Sequence, residues 1–256
     1  MRILDAHAHL GTWADFLVPQ PGADWLVDVM TREGIEAAGV SHLMAVGHDV
    51  ATGNQLALDA AGAHPGRLHA WLVFSPHHPA ELGRLTDQLS DPRVWGLKLH
   101  PDVHRVALDD PRYEPAWALA AAQGVPILTH TQTGARWSDP ALAAALASRW
   151  PEVDVLMGHG GLDVDGLLAA ARLARSVPNL HLETCSSRLT RHWLARLVDE
   201  AGAESVLFGS DAVFLDPRTA VGRLRATRVS EGDRALLAGG NLARILGPRL
   251  ARAGTP

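Results

Sequence analysis

Apolar positions along the chain follow two alternating rhythms. Short β-rich runs predict strands at Ile3–Ala8, His42–Val46, Leu68–Phe74, Val94–Leu99, Val125–Thr129, Val153–Met157, Leu180–Glu183 and Ser205–Phe208. Between them, apolar residues recur every three or four positions. That spacing predicts helices over Trp25–Ala38, Asn54–Ala63, Ala80–Leu89, Pro115–Gln123, Pro140–Trp150, Val164–Val177 and Trp193–Ala201. Gly or Pro marks the joints, at Gly39, Pro65-Gly66, Gly124, Pro151, Pro178 and Gly202. The segment from Asp216 to Gly247 reads as a last helix followed by a short closing helix around Asn241–Leu246.

Strands alternating with helices predict a parallel sheet covered by helices. An open, doubly wound sheet competes with a closed ring. Eight units in 256 residues, with no Gly-x-Gly-x-x-Gly turn after the first strand, favour the ring: a (β/α)8 or TIM barrel of the α/β class. No linker, charge block or low-complexity tract interrupts the chain, so 1–256 reads as one domain.

Composition narrows the partners. The formal charge of −5, without a basic cluster, argues against nucleic acid. No apolar run approaches the roughly 20 residues that span a bilayer. Asp5 interrupts the stretch where a signal peptide would be apolar, so a cytoplasmic location is expected. The single Cys185 excludes an internal disulfide. A small-molecule substrate is the expected partner, and a homodimer is expected only because two-fold assemblies are common. Two biases stand out: 14 His, and 22 Arg against the lone Lys98. One lysine amid that preference marks either chance survival or a place where a guanidinium cannot replace a compact, titratable amine.

The unusual residues collect where the strands end. The first strand closes on Asp5-Ala6-His7-Ala8-His9; residues two apart share a side, so His7 and His9 project together into the barrel mouth. The fifth ends in Thr129-His130, the sixth in Gly158-His159-Gly160-Gly161, the eighth in Gly209-Ser210-Asp211. Singly, these read as a chance pair, a turn histidine and a helix N-cap. Together they place five metal-capable side chains at one end of four units. Lys98 and His100 share a face of the fourth strand and are candidates for substrate contact. Asp5 reads as an orienting acid or as a strand-end acid bonded to backbone. His77-His78 read as a solvated loop pair and Cys185 as packing; Trp13 and Phe16, on the loop after the first strand, are candidate pocket wall.

Taken in order, six strings resemble the amidohydrolase superfamily, in its amidohydrolase-related (amidohydrolase 2) branch. They are Asp5-Ala6-His7-Ala8-His9, Gly96-Leu97-Lys98-Leu99-His100-Pro101, Ile127-Leu128-Thr129-His130-Thr131, Met157-Gly158-His159-Gly160-Gly161, Phe208-Gly209-Ser210-Asp211 and Asn241-Leu242-Ala243-Arg244-Ile245-Leu246. The resemblance implies that His7, His9, His130 and Asp211 ligate one divalent metal ion, with zinc the first choice for such donors; manganese, iron or cobalt would also fit. It implies a second ion only if Lys98 is carbamylated. His159 would stand beside the reactive water, and Asp211, His159 and Lys98 would form the catalytic group. The expected activity is a metal-dependent hydrolase acting on an amide, ester or lactone bond of a small molecule, expected to be carboxylated. Two alternatives are a metal-dependent non-oxidative decarboxylase of an unsaturated or aromatic acid, and a catalytically inactive binding barrel. A short insertion after the first strand, and Asp211-Ala212-Val213-Phe214 in place of an aromatic-Pro pair, favour hydrolysis.

Overall fold

A computed structural model describes residues 1–162, 164–247, 249 and 250; the last six residues of the single-domain reading, 251–256, lie outside them. Eight parallel strands lie in chain order: β1 (Ile3–Leu10), β2 (Ile35–His42), β3 (Leu68–Val73), β4 (Val94–Leu99), β5 (Ile127–His130), β6 (Val155–Gly158), β7 (Leu180–Glu183) and β8 (Val206–Leu207). Helices fill each crossover, as parallel pairing requires. The ring closes between the last strand and the first. Ala6 N–H donates to Phe208 O at 3.0 Å and Asp211 N–H to His7 O at 2.8 Å.

Asp5 spans that junction. Its Oδ1 accepts from His7 N–H at 3.1 Å and from Ser210 N–H at 3.0 Å. Burial pushes its carboxyl up to about 7, against the lowering effect of these bonds. Asp5 is therefore the strand-end acid bonded to backbone, the second of its two readings.

One strand differs from expectation. The chain over Ile35–His42 is β2, and the expected strand His42–Val46 is mostly a short helix, Leu43–Gly47. The preceding helix ends at Glu33, because Gly34 turns left-handed with φ 73° and caps it. Ile35-Glu36-Ala37-Ala38-Gly39 resembles helix in composition, yet its small residues serve the barrel interior. A Cβ on Gly39 would overlap Trp71 Nε1 and Trp95. Gly39 is thus a mid-strand residue rather than a joint.

Below the mouth, Leu4, Ala37, Trp71, Trp95, Leu128 and Leu156 fill the ring, with Leu242 and Leu246 of the closing helix Asn241–Leu246 packed against them. Trp71 Nε1–H donates to Ala6 O at 3.0 Å, so the indole is packed without a stranded donor. Asn54, buried on the helix Val50–Ala63, holds both backbone groups of Val73 at 2.8 and 2.9 Å. Among the described residues no helix is long and apolar enough to cross a membrane.

Candidate metal centre and pocket

The strand ends converge as the His-x-His spacing requires. His7 and His9, both buried, place their Nε2 atoms 3.2 Å apart. Asp211 Oδ1 lies 3.4 Å from His9 Nε2 and 3.9 Å from His7 Nε2. Both Asp211 and His159 adopt left-handed backbone, with φ 57° and 67°. Such a conformation costs on the order of 1–3 kcal/mol per residue and persists where surrounding contacts enforce it. Here the Asp211 amide is held by His7 O, and the His159 amide donates to Glu183 Oε2 at 3.2 Å.

The far sides of the rings set their tautomers. His7 Nδ1 lies 2.7 Å from Glu183 Oε2, a carboxylate able only to accept when ionised, so that nitrogen carries the proton and Nε2 keeps its lone pair. His9 Nδ1 pairs with Ser41 Oγ at 2.9 Å. His159 Nδ1 is 3.1 Å from the Cys185 carbonyl, which also only accepts; its Nε2 is then the lone-pair nitrogen on the opposite edge. Burial, first, and neighbouring cationic groups, second, lower the pKa values of His7 and His130; burial also lowers His9 against the pull of Asp211. The imidazoles are therefore held neutral, the state in which they bind metals. Burial pushes Asp211 up, but the His9 ring 3.4 Å away and the nearby Lys98 ammonium outweigh it and hold the carboxyl below its usual range.

These residues fit a divalent cation. Two imidazole nitrogens face one another across 3.2 Å, and Asp211 Oδ1 is buried with no hydrogen-bond partner. A nitrogen–nitrogen–oxygen donor set carrying one negative charge suits zinc or a neighbouring transition metal. The ligand atoms of His7, His159, Cys185 and Asp211 all lie within 4.8 Å of one another.

His130 lines the same pocket, its ring 4.7 Å from that of His159. Its Nε2 lies 3.3 Å from Asp102 Oδ2, its ring stacks on His100 at 4.3 Å, and its buried Nδ1 has no partner. Lys98 is fully buried, with Nζ 2.7 Å from His7 Nε2, and is absent from the pocket lining. Burial brings its amine down to about 8, opposed by Cys185, Asp211 and Glu183. His100 both lines the pocket and caps the turn Pro101–His104, accepting from Val103 N–H at 3.5 Å.

Two residues escaped the sequence reading. Cys185, expected to be mere packing, is buried at the centre, with Sγ 3.2 Å from both His7 Nδ1 and His159 Nδ1. Glu183 is fully buried at the end of β7 and touches three of these residues. The signal available was a carboxylate closing the strand Leu180-His181-Leu182-Glu183, two residues before the lone cysteine. A Cβ on Gly209 would overlap the Glu183 carboxylate, so that glycine leaves the acid its space.

Above the imidazoles opens a cavity of about 330 Å³. Trp13, Phe16, Val103, Leu162, Phe214 and Leu215 form its walls; among the described residues no Arg or Lys lines it. Phe16 meets Phe214 with ring centroids 5.1 Å apart, and Phe214 meets His9 at 5.5 Å.

A closed α/β barrel with histidines and an aspartate gathered at the C-terminal strand ends defines the class of barrel proteins that could hold a metal ion there. The chain matches the amidohydrolase family model over residues 4–247, and it belongs to that family. No curated protein matches it. Among similar solved structures is an uncharacterised TIM-barrel protein from Bordetella bronchiseptica, 18% identical, covering 99% of this chain and 100% of its own, with a TM-score of 0.77. A dihydroxybenzoic acid decarboxylase from a Polaromonas species, with bound manganese and the inhibitor 2-nitroresorcinol, is 17% identical over 96% of each chain, with a TM-score of 0.75. The 5-carboxyvanillate decarboxylase of Sphingomonas paucimobilis is 19% identical, covers 96% and 98%, and has a TM-score of 0.71. At these identities the likeness is one of fold.

Proposed function

We propose that the protein is a metal-dependent hydrolase acting on an ester, lactone or amide of a small, flat molecule. The observation that carries this is the convergence of two acceptors, Asp211 Oδ1 and the lone-pair edge of His159, beside His7 and His9 at the floor of an apolar pocket. Hydrolysis needs such acceptors to take a proton from water. His7, His9 and Asp211 would hold one divalent ion, zinc first by donor type and manganese next. When bound, that ion supplies a Lewis acid that brings the pKa of water towards neutrality. Asp211 would accept the water's proton on its carboxylate and return it to the leaving group. His159 accepts a hydrogen bond at Nε2, or donates one to the substrate carbonyl once protonated there. Trp13, Phe16 and Phe214 stack on the substrate and exclude water. With no cationic side chain lining the cavity among the described residues, the substrate is uncharged or carries a single anionic group, which narrows the carboxylated substrate first expected.

A second reading, decarboxylation of an aromatic acid, is favoured by the aromatic walls. Two of the similar structures named above are decarboxylases of such acids. One experiment separates the two: elemental analysis of the purified protein, then a panel of esters, lactones and aromatic acids with detection of CO2. Turnover of an ester or lactone supports hydrolysis; release of CO2 from an aromatic acid, with every ester and lactone inert, replaces it by the second reading.

A further inference from the structure

We infer that Glu183 is the positioning residue of the centre: it fixes His7 as the Nδ1–H tautomer, so that the Nε2 lone pair faces Lys98, His9 and Asp211. The inference deepens the metal-dependent reading and rests on it for its consequence, not for its geometry.

Glu183 has one function-bearing arrangement. Its Oε2 receives His7 Nδ1–H at 2.7 Å, His159 N–H at 3.2 Å and the Cys185 thiol at 2.8 Å. Its Oε1 receives Cys185 N–H at 2.5 Å. Four donors point at one carboxylate, and no acceptor is left for the hydrogen of a protonated or amide form. One side chain thus ties a β1 imidazole to the left-handed residue at the end of β6. The space is provided from a third strand end, because only a glycine at 209 clears the carboxylate. Cys185 finds its place in the same arrangement: its thiol is a donor to Glu183, and burial pushes its ionisation well above the ordinary thiol value. A carboxylate behind a ligating imidazole holds its ring and raises its basicity; losing such a partner typically costs roughly 10–100-fold in metal affinity.

Glu183→Gln tests this without changing volume. In either orientation of the amide its NH2 faces a donor, at Cys185 N or at the three donors on the Oε2 side. Gly209→Ala is the second variant, since it displaces the carboxylate while keeping its charge. Two readouts are taken: the 15N signals of His7 in protein freed of metal by a chelator, and the dissociation constant for Zn2+ or Mn2+ by competition with a chromogenic chelator. The expected result is a single Nδ1–H tautomer for His7 in the wild type, lost in both variants, with the metal dissociation constant rising roughly 10–100-fold. A merely structural Glu183 would lower the melting temperature and leave both readouts in place. The inference is overturned by a wild-type His7 protonated at Nε2, or by Glu183→Gln binding metal within about threefold of wild type with His7 unchanged. Should both variants fail to fold, the wild-type His7 signals decide alone. A wild type with the Nδ1–H tautomer that binds no metal would instead sink the metal-dependent reading and leave the tautomer assignment standing.

Discussion

Asp211→Asn is the substitution that separates the chemistry of the site from its architecture. Asp211 is held by its backbone, through its amide bond to His7 O, rather than by its side chain, whose Oδ1 has no hydrogen-bond partner. The amide is nearly isosteric, and 9% exposure lets it reach solvent. The stability change should therefore stay within the roughly 0.5–3 kcal/mol usual for a single substitution. Catalysis loses more. An amide cannot take up the proton that the carboxylate accepts, and proton transfer by a positioned side chain is worth roughly 100- to 10,000-fold. At about 1.36 kcal/mol per tenfold, the barrier rises by roughly 3–5 kcal/mol. The assay is kcat/KM on the best substrate from the panel, with metal content measured on the same sample and the melting temperature alongside. A variant that keeps its metal and its Tm and loses less than tenfold in kcat/KM would refute the role of Asp211 as proton acceptor.

Two further outcomes follow from the scaffold. Asn54→Ala strands the N–H and C=O of Val73 in the core; at about 1–3 kcal/mol for each unsatisfied group, urea denaturation should show a loss of roughly 2–6 kcal/mol with activity per folded molecule unchanged. The protein should also be acid-labile. Burial brings His69 and His104 down to about 4, below their unfolded value of 6.5, so their stabilising contribution is present above pH 6.5 and lost as pH falls towards 4. Asp5, raised to about 7, takes up a proton in the folded state and opposes one of the two. The net loss from these three is about 1.4 kcal/mol per pH unit in that window. Urea titrations giving a flat stability between pH 6.5 and 4 would contradict it.

What could be read in advance tracks how local each cause is. Short apolar runs marked β3 and β4, and the His7–His9 pairing followed from strand geometry alone. β2 was misplaced because its residues are small for a reason that lies elsewhere: Trp71 and Trp95, from the next two strands, occupy the room that larger side chains would need. His130 reached the correct strand end, but its partner Asp102 sits on another turn, and pairing across loops leaves no periodic trace. Glu183 was hidden likewise. A carboxylate at a strand end reads as solvated until the four donors around it, from β1, β6 and its own loop, are seen together.

The junction between β8 and β1 has a consequence for how the protein fails. The backbone bonds that shut the ring run through Ala6, His7, His9, Phe208, Asp211 and Ala212, and the side chain of Asp5 braces them. The hinge line of the cylinder and the seat of its reactivity are thus the same few residues. Unzipping that seam scatters the histidine pair and the aspartate at once, so loss of activity on heating should coincide with the first opening of the barrel, with no intact but inert shell in between.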